Sequence, residues 1–123
     1  MTTQKALILF AHGARDPRWA QPFEKMQKIA QSSLPDATVE LAFLELMEPR
    51  LPAVVSHLVE RGCNQISVVP VFLGQGGHVL RDLPPMIESL RTQYPNLSLQ
   101  VSDAVGESPA VLDAIAAYCV SRI

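Results

Sequence analysis

Two histidines, each next to glycine and each following an apolar run, are the residues whose types and spacing suit chemistry. One is His12 in Ala11-His12-Gly13-Ala14-Arg15-Asp16-Pro17, and the other is His78 in Leu73-Gly74-Gln75-Gly76-Gly77-His78. Imidazole binds metal or moves protons near neutral pH, and glycine lets the backbone bend and a substrate approach closely. Two carboxylates stand near the end of a further apolar run, Glu45 and Glu48. Each has three open readings: metal ligand, proton acceptor, or a loop carboxylate ahead of Pro49. Arg15, Arg18, Arg50 and Arg81 flank the same loops. There a guanidinium group either pairs with substrate carboxylates or is a plain surface charge. The third histidine, His57, falls off the apolar stripe of its helix and reads as a solvated surface residue.

The elements that must position these residues follow from hydrophobic periodicity. Ala6 to Ala11, Val39 to Leu44 and Ile66 to Val71 are short apolar runs bounded by turn signals and read as buried strands. Leu97 to Val101 alternates and is a fourth. Between them run helical stripes. Trp19, Phe23, Met26 and Ile29 or Ala30 form the first, with Pro22 in the first turn. Leu51, Val54, Val55, Leu58 and Val59 form the second, ending at a left-handed cap at Gly62. Leu83, Ile87, Leu90 and Tyr94 mark a third helix that starts at Asp82 to Pro84. Ser108-Pro109 opens a last amphipathic helix carrying Val111 or Leu112, Ile115 and Cys119.

Four strand–helix units predict an α/β fold, flavodoxin-like and doubly wound, with a four-stranded parallel sheet of order 2-1-3-4 and helices on both faces. In that order strands one and three are neighbours whose crossovers leave on opposite faces, so a crevice opens between their carboxyl ends. His12 and His78 then face one crevice, with Glu45 at the same edge.

Composition limits the function classes. The chain has 123 residues, enough for one domain, with 48% hydrophobic and 18% charged residues. A net charge of −2 without a lysine-arginine run argues against a nucleic-acid partner. The apolar runs are far short of the roughly 20 residues that span a bilayer, and Met1 to Lys5 leads into a strand without a cleavage-site pattern, so no membrane partner and a cytoplasmic location are expected. Cys63 and Cys119 form no Cys-x-x-Cys pair and are expected to be small apolar core residues. The sequence Gly74-x-Gly76-Gly77 lacks the Lys-Ser/Thr ending of a phosphate loop and the spacing of a dinucleotide loop. No organic cofactor is therefore expected.

Two imidazoles and a carboxylate suit a divalent first-row ion such as cobalt, iron, nickel or zinc. A closed structural zinc site takes four protein ligands. This set leaves coordination positions open, for a substrate or a second subunit to complete.

Three segments carry a resemblance to a known family: Ala11-His12-Gly13-Ala14-Arg15-Asp16-Pro17; Ala42-Phe43-Leu44-Glu45; and Pro70-Val71-Phe72-Leu73 through Gly77-His78-Val79-x-x-Asp82-Leu83-Pro84. Together they resemble the short form of the sirohydrochlorin chelatases, class II enzymes that insert cobalt, or in relatives iron or nickel, into a tetrapyrrole. The likeness covers nearly the whole chain. Ala14 stands where many relatives carry serine. The resemblance implies that residues 1–123 are one chelatase half-domain and that two copies form a homodimer with the site between them. It implies that His12 and His78 bind the incoming ion, Co²⁺ first with Fe²⁺ or Ni²⁺ as the others, and accept pyrrole protons, with Glu45 assisting. The metal is then a substrate. Arg15, Gly76, Gly77 and Arg81 are the expected contacts to sirohydrochlorin, whose eight carboxylates a local positive rim would steer.

The chemistry agrees with that expectation. Inserting M²⁺ releases two protons, and histidine, with an ordinary pKa of about 6.5, is a base suited to neutral pH. Two other readings use the same residues: a metal carrier or storage module that does not catalyse, and a flavodoxin-like interaction domain, since fold alone does not specify function.

Overall fold

The computed structural model describes residues 4–74 and 76–123, and the backbone alone for residues 77–80. Strands β1 (Lys5–Ala11), β2 (Ala37–Phe43), β3 (Gln65–Pro70) and β4 (Ser98–Val101) alternate with helices α1 (Gln21–Ser33), α2 (Leu51–Glu60), α3 (Gly77–Gln93) and α4 (Pro109–Val120). Short 3-10 turns at Pro17–Ala20 and Val105–Glu107 lead into α1 and α4. All strand pairs are parallel and the order is β2-β1-β3-β4, the doubly wound arrangement expected from the four strand–helix units.

The two faces of the sheet are covered unequally. Ala6, Ile8 and Phe10 of β1 lie with Ile66, Val68 and Leu99 on the face packed by Val54, Val55 and Leu58 of α2 and Leu83, Ile87 and Leu90 of α3. All twelve are buried, and this is the main core. Burying an aliphatic side chain of this size contributes about 1.5–3 kcal/mol, so this layer dominates the hydrophobic stabilisation. On the other face, Ala11, Ala20 and Phe43 form a small cluster beneath Trp19 and Phe23, with the two aromatic rings 4.5 Å apart. Helix α1 covers β2 and part of β1 there, and no residue of α1 or α4 is itself fully buried.

Three expectations are corrected. The third helix starts at Gly77, well before Asp82, and continues through Pro84 and Pro85. Each proline removes a helical N–H donor, a cost of about 3 kcal/mol in a helix interior. The buried stripe Leu83, Ile87 and Leu90 offsets that loss. His78 accordingly occupies the first turn of α3, where a loop position was expected. Second, the apolar residues of α1 and α4 follow the expected spacing but pack inward only in part: Phe23 of α1 covers the small cluster, whereas Met26, Ile29, Leu112 and Ile115 are exposed. Third, Cys63 is buried as expected, whereas Cys119 is exposed because α4 buries no face.

Candidate functional site

The residue order at the carboxyl end of the sheet follows from pairing that continues past the strands. The Leu44 N–H donates to the Ala11 carbonyl at 2.9 Å, and the Glu45 N–H donates to the His12 carbonyl at 3.1 Å. These two bonds hold the β1 and β2 exits side by side. Gly13 then takes φ +101°, and a Cβ there would collide with the Glu45 carbonyl. A residue with a side chain would be strained by the backbone angle and excluded by the neighbour.

The consequence is a side-chain pair. His12 Nε2 and Glu45 Oε1 lie 3.0 Å apart, both groups partly open to solvent. Phe72, which follows β3, packs edge-on to both Phe10 and His12, with the His12 ring centroid 6.4 Å away. The imidazole is therefore held by a carboxylate, by its own paired backbone and by an aromatic edge. Such a pair accepts and releases a proton or offers one nitrogen and one oxygen to a divalent ion.

Leu46 follows Glu45 with φ +69°, a left-handed conformation that is uncommon for leucine, and its side chain is half exposed. Sequence reasoning passed over it, because nothing in a leucine's identity signals a positive φ. The neighbouring Glu48 is well exposed and lies 3.8 Å from Arg50 Nε, while that Nε also donates to the Met47 carbonyl at 3.2 Å. Of the two carboxylates, Glu45 is the one that meets His12.

The arginines divide. Arg18 is taken up locally: its guanidinium group donates to both oxygens of Asp16, and its backbone N–H caps the same carboxylate. The Arg18 side chain, and then its backbone N–H, hold the Asp16 carboxyl below its ordinary pKa, and the same pairing raises that of Arg18. Arg15 is exposed on the β1–α1 loop near His12. Arg81 is exposed on α3, with Nε 3.9 Å from Asp82 Oδ1.

Gly76 is the N-cap residue of α3, and a Cβ built on it would meet open space. The packing of this chain thus does not require glycine at 76. The side chain of His78 and the surroundings of Gly77 lie outside the described residues, although both belong to the first turn of α3 at the sheet's carboxyl edge. Among the described residues no cluster of three or more potential metal ligands occurs, and no described helix is long and apolar enough to cross a membrane.

Comparison with known proteins adds to the geometry. A 2-1-3-4 parallel sheet bearing histidine at one strand end is matched over 96% of this chain by a putative cobalamin (vitamin B12) biosynthesis CbiX protein from Marinobacter aquaeolei. That structure is 33% identical, itself covered to 96%, with a TM-score of 0.84. The sirohydrochlorin chelatase SirB from Bacillus subtilis subspecies spizizenii, solved in complex with cobalt, shares the fold with a TM-score of 0.82 at 24% identity. The match takes in 97% of this chain and 51% of that one. A sirohydrochlorin cobaltochelatase of Methanopyrus kandleri is 40% identical over 82 residues, 67% of this chain and 57% of the relative. Three further cobaltochelatases are matched over 58% of their length, so the chain spans little more than half of these curated relatives. The CbiX family model matches residues 6–120, nearly the whole chain from the first residues of β1 to the end of α4, and the chain therefore belongs to the CbiX family.

Proposed function

We propose that this chain is a metal chelatase that inserts a divalent ion, Co²⁺ in the first place, into sirohydrochlorin for cobalamin or sirohaem synthesis. The observation that carries the reading is the 3.0 Å pair of His12 and Glu45 at the carboxyl edge of the sheet. The family membership and the printed names of the relatives support it, cobaltochelatases among them and a Bacillus subtilis ferrochelatase.

The reaction exchanges one M²⁺ for two pyrrole protons, so the protein must give up a cation and take protons at the same place. In this reading His12 offers Nε2 to the incoming ion and takes a pyrrole proton after the ion has left it. Glu45 stabilises the resulting imidazolium by a charge-assisted hydrogen bond. His78, in the first turn of α3, supplies the second imidazole. Two imidazoles and one carboxylate, with positions left open, hold an ion loosely enough to pass it on, whereas a closed four-ligand set would retain it. Arg15 and Arg81, both exposed, meet the substrate carboxylates. Gly76 and Gly77 leave room for the macrocycle beside the backbone, which agrees with the open space at Gly76. Residues 1–123 act as one half-domain, and a second copy completes the cleft.

The test is anaerobic. Purified protein, sirohydrochlorin and Co²⁺, Fe²⁺ or Ni²⁺ are mixed in separate cuvettes, and the tetrapyrrole absorbance is followed against the rate without protein. Acceleration with Co²⁺ is expected. Metal binding without acceleration by any ion would overturn the chelatase reading in favour of a metal carrier.

A further inference from the structure

Gly106 stands in the 3-10 turn that follows β4, and its surroundings alone require it to be glycine. Gly13 and Gly62 are the described glycines with a positive φ, and Gly106 is not one of them, so its backbone lies outside the left-handed region. A Cβ there would nevertheless collide with the backbone of Leu73, its carbonyl first. Of the described glycines only Gly13 and Gly106 press on the backbone of a distant residue. Gly13 joins the exits of β1 and β2 beside His12, and Gly106 joins the exits of β3 and β4.

Both partners of this contact are anchored on their near sides. The Ser102 N–H donates to the Val68 carbonyl at 3.0 Å, the Glu107 N–H donates to the Ala104 carbonyl at 2.9 Å, and Ala104 is buried, so the turn is fixed to the sheet. The Gly106 N–H donates in turn to the Phe72 carbonyl at 2.9 Å. Phe72 is held as well: the Val71 N–H before it donates to the Phe10 carbonyl at 2.8 Å, and its buried ring packs edge-on to Phe10 and His12. Beyond Phe72 these supports end. Leu73 is exposed, and Gly74, Gly76 and Gly77 are three of the four residues between it and His78. Among the described residues no side chain caps the start of α3, and its first buried side chain is Leu83. Glycine gives a chain its widest choice of conformations. The course of this loop therefore depends on the last point at which it is held, the contact of Leu73 with Gly106.

We propose that Gly106 is a positioning residue for metal insertion: by holding Leu73 against the β4 exit it sets where the loop delivers the second histidine, His78, relative to His12. A side chain at position 106 displaces Leu73 and not the turn, because Ser102 and Ala104 tie the turn to the sheet whereas Leu73 is exposed and followed by glycine. The displacement passes along the loop to the first turn of α3. An ion shared by imidazoles from two strand exits needs both in place at once, and a misplacement of 1 Å costs a positioned reaction about 100-fold. The inference rests on the joint metal-binding role of His12 and His78 given under the proposed function. It brings into the machinery the β4 exit, which supplies none of the residues assigned there.

The test uses the full chain and a double-mutant cycle, with circular dichroism to confirm folding. Co²⁺ alone is titrated into the unaltered protein and Gly106→Ala, and each is then assayed for insertion. Gly106→Ala is expected to bind Co²⁺ about fivefold more weakly and to lose about tenfold in kcat, with KM for sirohydrochlorin changed much less. The same substitution is then made in His78→Ala and in His12→Ala. The loss of Co²⁺ affinity should vanish in the first background, where there is no second imidazole to misplace, and persist in the second. A general loss of structure would weaken binding in both. Should Gly106→Ala fail to fold, Ala104→Gly, which loosens the base of the turn without a collision, takes its place, with a loss of about threefold and the same dependence on His78. Unaltered Co²⁺ affinity and kcat in the folded variant, or an equal loss in the His78→Ala background, overturns the inference and leaves the chelatase reading standing. An unaltered protein that binds Co²⁺ but accelerates no insertion overturns the chelatase reading, and the Co²⁺ titrations then decide the inference alone.

Discussion

Gly13 and Glu45 approach so closely that the glycine's missing side chain is what admits the Glu45 carbonyl. The approach matters because it lies one residue beyond His12 and holds the carboxylate strand exit against the histidine. Gly13→Ala should therefore damage the site through the backbone: left-handed strain costs about 1–2 kcal/mol, and relief of the collision must push Glu45 away. We expect loss of about 2 kcal/mol or more of stability, seen as a fall in melting temperature. The insertion rate should fall further than in a surface variant of equal stability. A Gly13→Ala protein with unaltered melting and rate would show that the β1 and β2 exits yield to each other freely.

The His12–Glu45 pair separates charge from shape. Glu45→Gln keeps a polar group of the same size near Nε2 but removes the negative charge that the proposed mechanism uses to stabilise an imidazolium. Since positioned proton transfer contributes about 10²–10⁴-fold, the insertion rate is expected to drop by about 100-fold, while His12→Ala and His78→Ala abolish it. Melting temperatures of the position 12 and 45 variants should move little, because both side chains are partly exposed. Equal rates for Glu45→Gln and the unaltered protein would remove Glu45 from the chemistry.

Pro84 illustrates where the sequence misleads. The strand ends, the order of the sheet and the meeting of His12 with the β2 exit were all legible, because short apolar runs and turn residues report directly on a parallel sheet. The start of α3 was not, since proline prefers the first helical turn and Pro84 follows a cap-like Asp82, a pattern that predicts a start there. Periodicity also could not tell whether the apolar residues of α1 and α4 are covered by their own chain, because spacing reports a face and not its partner. Pro84 is exposed and interior to α3. Pro84→Ala restores a helical N–H and loses little packing, while giving back some unfolded-state entropy. A net gain of about 1–2 kcal/mol is expected, measured by denaturant midpoint. A loss would mean that the proline serves the shape of the helix.

Leu46 offers the sharpest separation of stability from function. Its φ of +69° places a half-exposed, β-unbranched apolar side chain in a conformation that glycine adopts without strain. Backbone strain of about 1–3 kcal/mol concentrates at functional sites, and Leu46 directly follows Glu45. If an exposed leucine is kept there to meet the flat apolar face of a tetrapyrrole, relieving the strain should cost affinity. Leu46→Gly is expected to hold or raise the melting temperature while raising KM for sirohydrochlorin about tenfold, with kcat changed much less. Leu46→Met, which keeps an apolar side chain at the same strained angle, should keep KM near that of the unaltered protein. A glycine variant with unchanged KM would mean that the leucine faces solvent and not substrate, and the strain would then belong to the turn that carries Glu45 to His12.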